Sequence, residues 1–213
     1  MSPALRRVAW GTAVGICAVI ALAFALAVAA FGSGYFKNFY LPSEAMAPTL
    51  EKGDHFIAYM EGGGELKRGQ IVLVAVGRST YVKRLAALPG DTIGLAQGIV
   101  ILNGRPVPQR LLKEERRGEV RGAPLGRRLT ERFPGELAAH EILDMGPSEV
   151  DDFPARRIPA GHVFVLGDHR DRSADSRVPR AADGVDLLPI ADIKGHALWQ
   201  TGPRAKFGLE LNP

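Results

Sequence analysis

The stretch QIVLVAVGRSTYVKRLAALPG, residues 70–90, decides the fold class. Gln70–Val76 is a continuous apolar run, the pattern of a strand buried on both faces. Thr80–Leu88 reads as a second strand. Its alternation puts Tyr81, Lys83 and Leu85 on one face and Val82, Arg84 and Ala86 on the other. Pro89-Gly90 ends it. Outward from this pair, His55–Met60, Ile99–Leu102, His162–Leu166 and His196–Gln200 read as further strands. Asn103-Gly104 is a hairpin signal. Gly62-Gly63-Gly64 and Gly167-Asp168 punctuate the rest. The one amphipathic helix candidate beyond residue 31 lies near Glu136–Leu143, and no internal repeat is present. The expectation is a mostly β, mostly antiparallel domain. Residues 105–160 are charged, broken by Pro and Gly, and poor in strand signals. They read as an inserted subdomain or cap region, a flexible surface excursion.

Composition is that of a globular chain: 213 residues, 46% hydrophobic and 23% charged. A mean hydropathy of zero conceals two populations. Val8–Phe31 is an uncharged run of 24 residues, and a helix crossing the hydrocarbon needs about 20. Arg6 and Arg7 precede it and no Lys or Arg follows until Lys37, so the N-terminus is expected in the cytoplasm. Ala27-Val28-Ala29 resembles a signal-peptide cleavage site, but the apolar run exceeds the usual core of such peptides, which favours an anchor. The expected organisation is a cytoplasmic segment 1–7, a transmembrane anchor 8–31 and an extracytoplasmic domain 35–213. Aromatic residues cluster in 34–41, where the chain would leave the bilayer. Cys17, the one cysteine, lies in the apolar run, so the exported part gains no disulfide.

Once the first 34 residues are set aside, the net charge falls from +4 to +2. The basic runs Lys113–Arg117 and Arg127-Arg128 are interspersed with glutamates. Nucleic-acid binding would need a clustered cationic face and is excluded. His169 has no second histidine at metal-ligand spacing, so no metal or other cofactor is expected.

Three short segments carry chemistry. PSEAMAPTL, residues 42–50, is a loop with two prolines and two hydroxyl residues. In the strand around Lys83, apolar neighbours desolvate the ammonium, which favours a neutral amine able to take a proton. The alternative is a lysine whose stem lies on apolar surface while its head reaches water. GDHRDRSADSR, residues 167–177, packs three acids, three arginines and two serines. There Asp168, Asp175 and Arg177, with Arg84, read as structural ion-pair material.

Together these segments resemble the type I signal peptidases, membrane-anchored serine endopeptidases that remove signal peptides. The family's Pro-Ser-x-Ser-Met-x-Pro-Thr-Leu loop corresponds to PSEAMAPTL at 42–50. Its Lys-Arg-x-x-(Ala/Gly)-x-Pro-Gly-Asp segment corresponds to KRLAALPGD at 83–91, and its Gly-Asp-Asn-Arg-x-x-Ser-x-Asp-Ser-Arg motif to GDHRDRSADSR at 167–177. GDHFIAY at 53–59 and RGQIVLV at 68–74 also match, as does the order of the parts. The resemblance implies an antiparallel β-sheet catalytic region and a Ser/Lys dyad without cofactor or metal. It implies Lys83 as general base, Ser43 as oxyanion donor and Ser173 as the residue orienting the lysine. Met46, Arg84, Asp168, Asp175 and Arg177 would support the site. The implied partners are signal peptides of exported preproteins with small residues at −1 and −3, and the lipid bilayer. The implied location is the bacterial cytoplasmic membrane, with the domain on the periplasmic side.

The sequence departs from the motif at the nucleophile, where Ala45 stands in place of serine. His169 replaces asparagine. Arg180 stands where glycine is usual, and a short insertion before Gly184-Val185 would restore the pattern. A methyl group cannot attack a carbonyl. Ala45 implies an engineered change, a homologue that lost its chemistry, or use of another hydroxyl. The nearest, Ser43, sits several ångströms away along the loop, where about 1 Å already costs 10²-fold. The alternative function is a non-catalytic signal-peptide-binding homologue. Self-cleaving repressors share the catalytic scaffold but carry a DNA-binding domain where this chain has its apolar run.

Overall fold

A computed structural model describes residues 3–61, 64–115, 126–202 and 205. Gly62, Gly63, Arg116 and Arg117 of the segments above lie outside them. The chain divides into two compact units, residues 1–37 and 38–213.

The first unit is built on helix α1, Pro3–Gly32. Side chains described between residues 15 and 26 include Ile16, Val19, Ile20, Leu22, Phe24 and Leu26, each more than half exposed. Among the described residues no helix is long and apolar enough to cross a membrane.

The second unit is antiparallel β. In chain order the strands are β1 (Phe36–Tyr40), β2 (His55–Tyr59), β3 (Ile71–Val76), β4 (Ser79–Ala87), β5 (Thr92–Ala96), β6 (Ile99–Leu102) and β7 (Arg105–Pro106). They continue with β8 (Gln109–Glu115), β9 (Gly126–Glu131), β10 (His140–Asp144), β11 (Phe153–Arg157), β12 (His162–Leu166), β13 (Leu188–Pro189) and β14 (Ile193–Thr201). A seven-stranded sheet runs β1-β2-β14-β3-β4-β12-β13, a four-stranded one β11-β5-β6-β7 and a three-stranded one β10-β9-β8.

β3 is covered on both sides, as its unbroken apolar run requires. Ile71 and Leu73 join a core with Leu41, Met46, Leu50, Phe56, Ala58 and Ala197. Val72 and Val74 pack on the other face with Leu85, Val163, Val165 and Val185. The Asn103-Gly104 signal is a two-residue hairpin turn. Both residues have positive φ, 53° and 75°, and Leu102 pairs with Arg105 across it.

Two expectations fail within residues 105–160. Glu136–Leu143 is not a helix: residues 134–139 are turn and coil, and His140–Asp144 is strand β10. Nor is the region poor in strands, because β8, β9 and β10 form a sheet of their own. Cross-strand pairs explain both. Arg127 and Arg128 lie on β9 opposite Asp144 and Leu143, and the ion pair of Arg128 with Glu141 recruits charged side chains into the sheet. Local apolar periodicity does not record such partners.

Candidate active site

Three segments meet around Gly167. The loop 42–50 is pinned by Met46 and Leu50, both fully buried in the β2–β3 core. Ala45 is thereby held almost buried at 9% exposure. Its carbonyl accepts the His169 N–H at 3.1 Å, which stitches this loop to the site loop 167–177. Strand β4 delivers Lys83, 2% exposed, with Nζ 3.0 Å from Ser173 Oγ. An ideal Cβ on Gly167 would overlap Ser173 Oγ and Cβ, and would come within 2.5 Å of the Ala45 carbonyl oxygen. Ala45 and Ser173 therefore pack against one glycine, and Lys83 reaches that point through Ser173 Oγ. Gly167→Ala should push Ser173 off the lysine and destabilise the domain by about 1–3 kcal/mol. Urea melts check this, and an unchanged midpoint would contradict the packing described.

Burial is the largest influence on Lys83 and pushes its amine down to about 8. Arg177 adds to the shift, while Asp175 and Asp168 partly oppose it. Near neutral pH an accessible fraction of the amine is thus neutral. The Tyr81 ring lies 5.7 Å from Nζ on the same strand face.

Arg84, Asp168, Asp175 and Arg177 form buried ion pairs. Arg84 meets Asp168 in a buried fork, Nη2 to Oδ2 at 2.7 Å and Nε to Oδ1 at 2.8 Å. Arg84 also donates to the Gly69 carbonyl at 2.5 Å, and Thr49 Oγ1 donates to Asp168 at 2.5 Å. Burial works to raise the Asp168 carboxyl, but the Arg84 charge and hydrogen bonds outweigh it and hold it below the usual carboxylate range. Asp175 pairs with Arg177 at 2.9 Å and accepts the Gly167 N–H at 3.0 Å. Arg177 also donates to the Arg170 carbonyl at 2.6 Å. Ser43 is exposed on the loop two residues before Ala45.

Other features were not legible in the motifs. Glu44 and Arg172, flanking Ala45 and Ser173, form an exposed ion pair of 2.9 Å between the two loops. His169 is buried, and its N–H serves the Ala45 loop. Arg170 pairs with the buried Glu131 of β9, a contact no short motif could contain. Arg180–Ala182 forms a single 3-10 turn, and Gly184 then folds back on Pro179 with its N–H 3.0 Å from that carbonyl. A Cβ at Gly184 would overlap the Val178 carbonyl, so the glycine is needed there. Among the described residues, no group of three or more His, Cys, Asp and Glu could hold a metal ion.

Comparisons with known proteins identify the family. The family model described as "Signal peptidase, peptidase S26" matches residues 10–200. The signal peptidase I of Bacillus licheniformis is 32% identical over 181 residues, 83% of this chain and 81% of that one. The signal peptidase I T of Bacillus subtilis (strain 168) is 30% identical over 190 residues, covering 87% of this chain and 80% of that one. A solved signal peptidase I from Enterococcus faecalis overlaps 62% of this chain and 97% of its own, at 21% identity and a TM-score of 0.35. By the family match and the first of these relatives, the chain belongs to the signal peptidase family, peptidase S26, a family of serine endopeptidases.

Proposed function

We propose that this chain carries the Ser/Lys-dyad site of a signal peptidase I with the nucleophile position occupied by Ala45. The observation that supports it most is the buried Lys83, with Nζ on Ser173 Oγ and an amine lowered to about 8. That is the base a serine hydroxyl needs at neutral pH. In this reading Lys83 takes the nucleophile's proton and returns it to the leaving amine. Ser173 orients Lys83. Ser43 and the backbone N–H of residue 45 face the oxyanion. The Arg84–Asp168 and Asp175–Arg177 pairs hold the two loops, and Met46 anchors the first of them.

The substrates in this reading are signal peptides of exported preproteins with small residues at −1 and −3. The α1 helix is the membrane anchor, single-pass, with its N-terminus in the cytoplasm of a bacterium and the β domain in the periplasm. Its support is the uncharged run Val8–Phe31 and the exposed apolar side chains of residues 15–26. Ala45 follows Phe31 by only 14 residues, which suits a substrate whose apolar segment is still in the bilayer.

A second reading is a non-catalytic homologue that holds signal peptides, and Ala45 itself favours it. Both readings require recognition. A fluorescent signal peptide with alanine at −1 and −3 should bind the unaltered chain and remain intact. Tryptophan at −1 should weaken binding about tenfold or more, because a pocket shaped for a methyl group has no room for an indole. Equal affinity for the two peptides would sink the substrate assignment.

A further inference from the structure

Residues 105–160, read from the sequence as a flexible excursion, are built into the site loop. The Leu143 N–H of β10 donates to the Asp168 carbonyl, and the Arg170 N–H donates to the Leu143 carbonyl, each at 2.8 Å. Leu143 and His169 form an isolated parallel bridge. The Met145 N–H reaches Asp171 Oδ2 at 2.6 Å. Because His169 also donates to Ala45, β10, the site loop and the Ala45 loop are linked in succession.

Side chains reinforce the link. Arg170, buried in the site loop, pairs with the fully buried Glu131 of β9. Glu131 Oε1 accepts Gln109 Nε2 of β8 at 2.9 Å. His140 of β10 sets Nε2 3.5 Å from Glu131 and Nδ1 2.8 Å from Glu136, with its ring stacked on Phe133. Glu136 accepts the Phe133 N–H at 2.8 Å, and its carboxyl sits so close to Gly69 that a Cβ there would come within 2.6 Å. Gly69 is the residue whose carbonyl holds Arg84. Burial alone would raise the Glu131 carboxyl, yet Arg170 and His140 hold it near 2, so it stays charged.

We propose that the sheet β8–β10 is a positioning element for the Lys83–Ser173 pair, acting through the Glu131–Arg170 latch and the hydrogen bonds from β10 to the site loop. The proposal rests on reading Lys83 and Ser173 as the site. Between Arg170 and Ser173 the loop has no regular structure of its own. Asp168 fixes its start on Arg84, and within the loop Asp175 ties its end to Arg177 and to the Gly167 N–H. Arg170 is the buried side-chain anchor between them, three residues before Ser173, alongside the exposed Arg172–Glu44 pair. A buried ion pair is weak evidence for stability as such, and position is its better-attested use. Losing this anchor frees Ser173 and admits water to the amine beneath it. Glu131, Arg170 and Asp171 are therefore positioning residues.

The test reads Lys83 directly in the unaltered, full-length chain in detergent. Its Cε resonance, assigned by its loss in Lys83→Ala, is titrated by NMR in Glu131→Gln and in Asp171→Ala. Each substitution removes a negative charge, and that alone would lower the midpoint. Loosening hydrates the amine and raises it, by about one pH unit, toward the ordinary lysine value. A rise in either folded variant supports the proposal. Asp171 is only half-buried, so its variant decides the matter if Glu131→Gln does not fold. A midpoint unmoved or lowered in the folded variants overturns it. No step of this measurement needs cleavage, so its failure is separate from a failure of the peptidase reading.

Discussion

Ala45→Ser should turn the chain into a working endopeptidase, raising cleavage of a preprotein after its small-residue site on the order of 10⁵- to 10⁶-fold. Removing the nucleophile of a serine protease costs about that much in kcat, and restoring it should return it. The physical case, on the proposed dyad reading, is that the groups packed around residue 45 are already fixed. The residue 45 backbone is tied to His169, its neighbour Met46 is fully buried, and Lys83 Nζ lies 3.0 Å from a Ser173 hydroxyl that abuts Gly167. The substitution adds one oxygen to a residue whose main chain need not move, so the hydroxyl enters a pre-organised site. Mass spectrometry of the released peptide locates the cut. A folded Ala45→Ser chain that cleaves nothing above background would sink the dyad assignment. So would cleavage by the unaltered chain that survives Lys83→Ala.

Lys83→Met in the Ala45→Ser background should abolish that activity while making the protein more stable at neutral pH. Loss of the general base should cost on the order of 10⁴ or more in rate. The stability effect follows from the lowered amine. Below about pH 8 the folded chain carries a buried ammonium, and above about 10.5 both folded and unfolded chains carry a neutral amine. Between those values the unfolded chain binds more protons, so the stability of the lysine protein rises with pH across the window. The shift from 10.5 to about 8 corresponds to roughly 3 kcal/mol of penalty below pH 8. Methionine removes it and forfeits one hydrogen bond worth about 1 kcal/mol. The expected net gain is about 2 kcal/mol at pH 6–7, vanishing by pH 10 in urea melts. A destabilised Lys83→Met at pH 6 would contradict the burial argument. In Ala45→Ser alone, kcat/KM should rise about tenfold per pH unit up to about 8 and then level, as the amine loses its proton.

If Lys83 is the general base, a gain of stability on its loss is what a site built for chemistry predicts. It also distinguishes Lys83 from the arginines nearby. Arg84 and Arg177 are matched by Asp168 and Asp175 at hydrogen-bond distance, whereas Lys83 has a neutral hydroxyl as its hydrogen-bond partner.

The N-terminal run, the β class, the strand carrying Lys83 and the alanine at 45 were all legible before any coordinates, because each depends on residues close together in the chain. Charge-free length marks the apolar segment. Unbroken apolar residues mark β3, and turn chemistry marks Asn103-Gly104. The motifs at 42–50, 83–91 and 167–177 mark the proposed site residues, because such chemistry would constrain residue types at short spacing. What sequence alone could not supply was the role of residues 105–160. The strands there are stabilised by cross-strand partners such as Arg128 with Glu141, and by a buried ion pair joining Glu131 to Arg170, 39 positions apart. Local periodicity carries no trace of such partners, so a docked sheet read as a loose insertion. The tertiary structure also decided that Lys83 is dry. Alternation could place it on a strand face, but only the loops closing over that face remove the water that would have kept its amine charged.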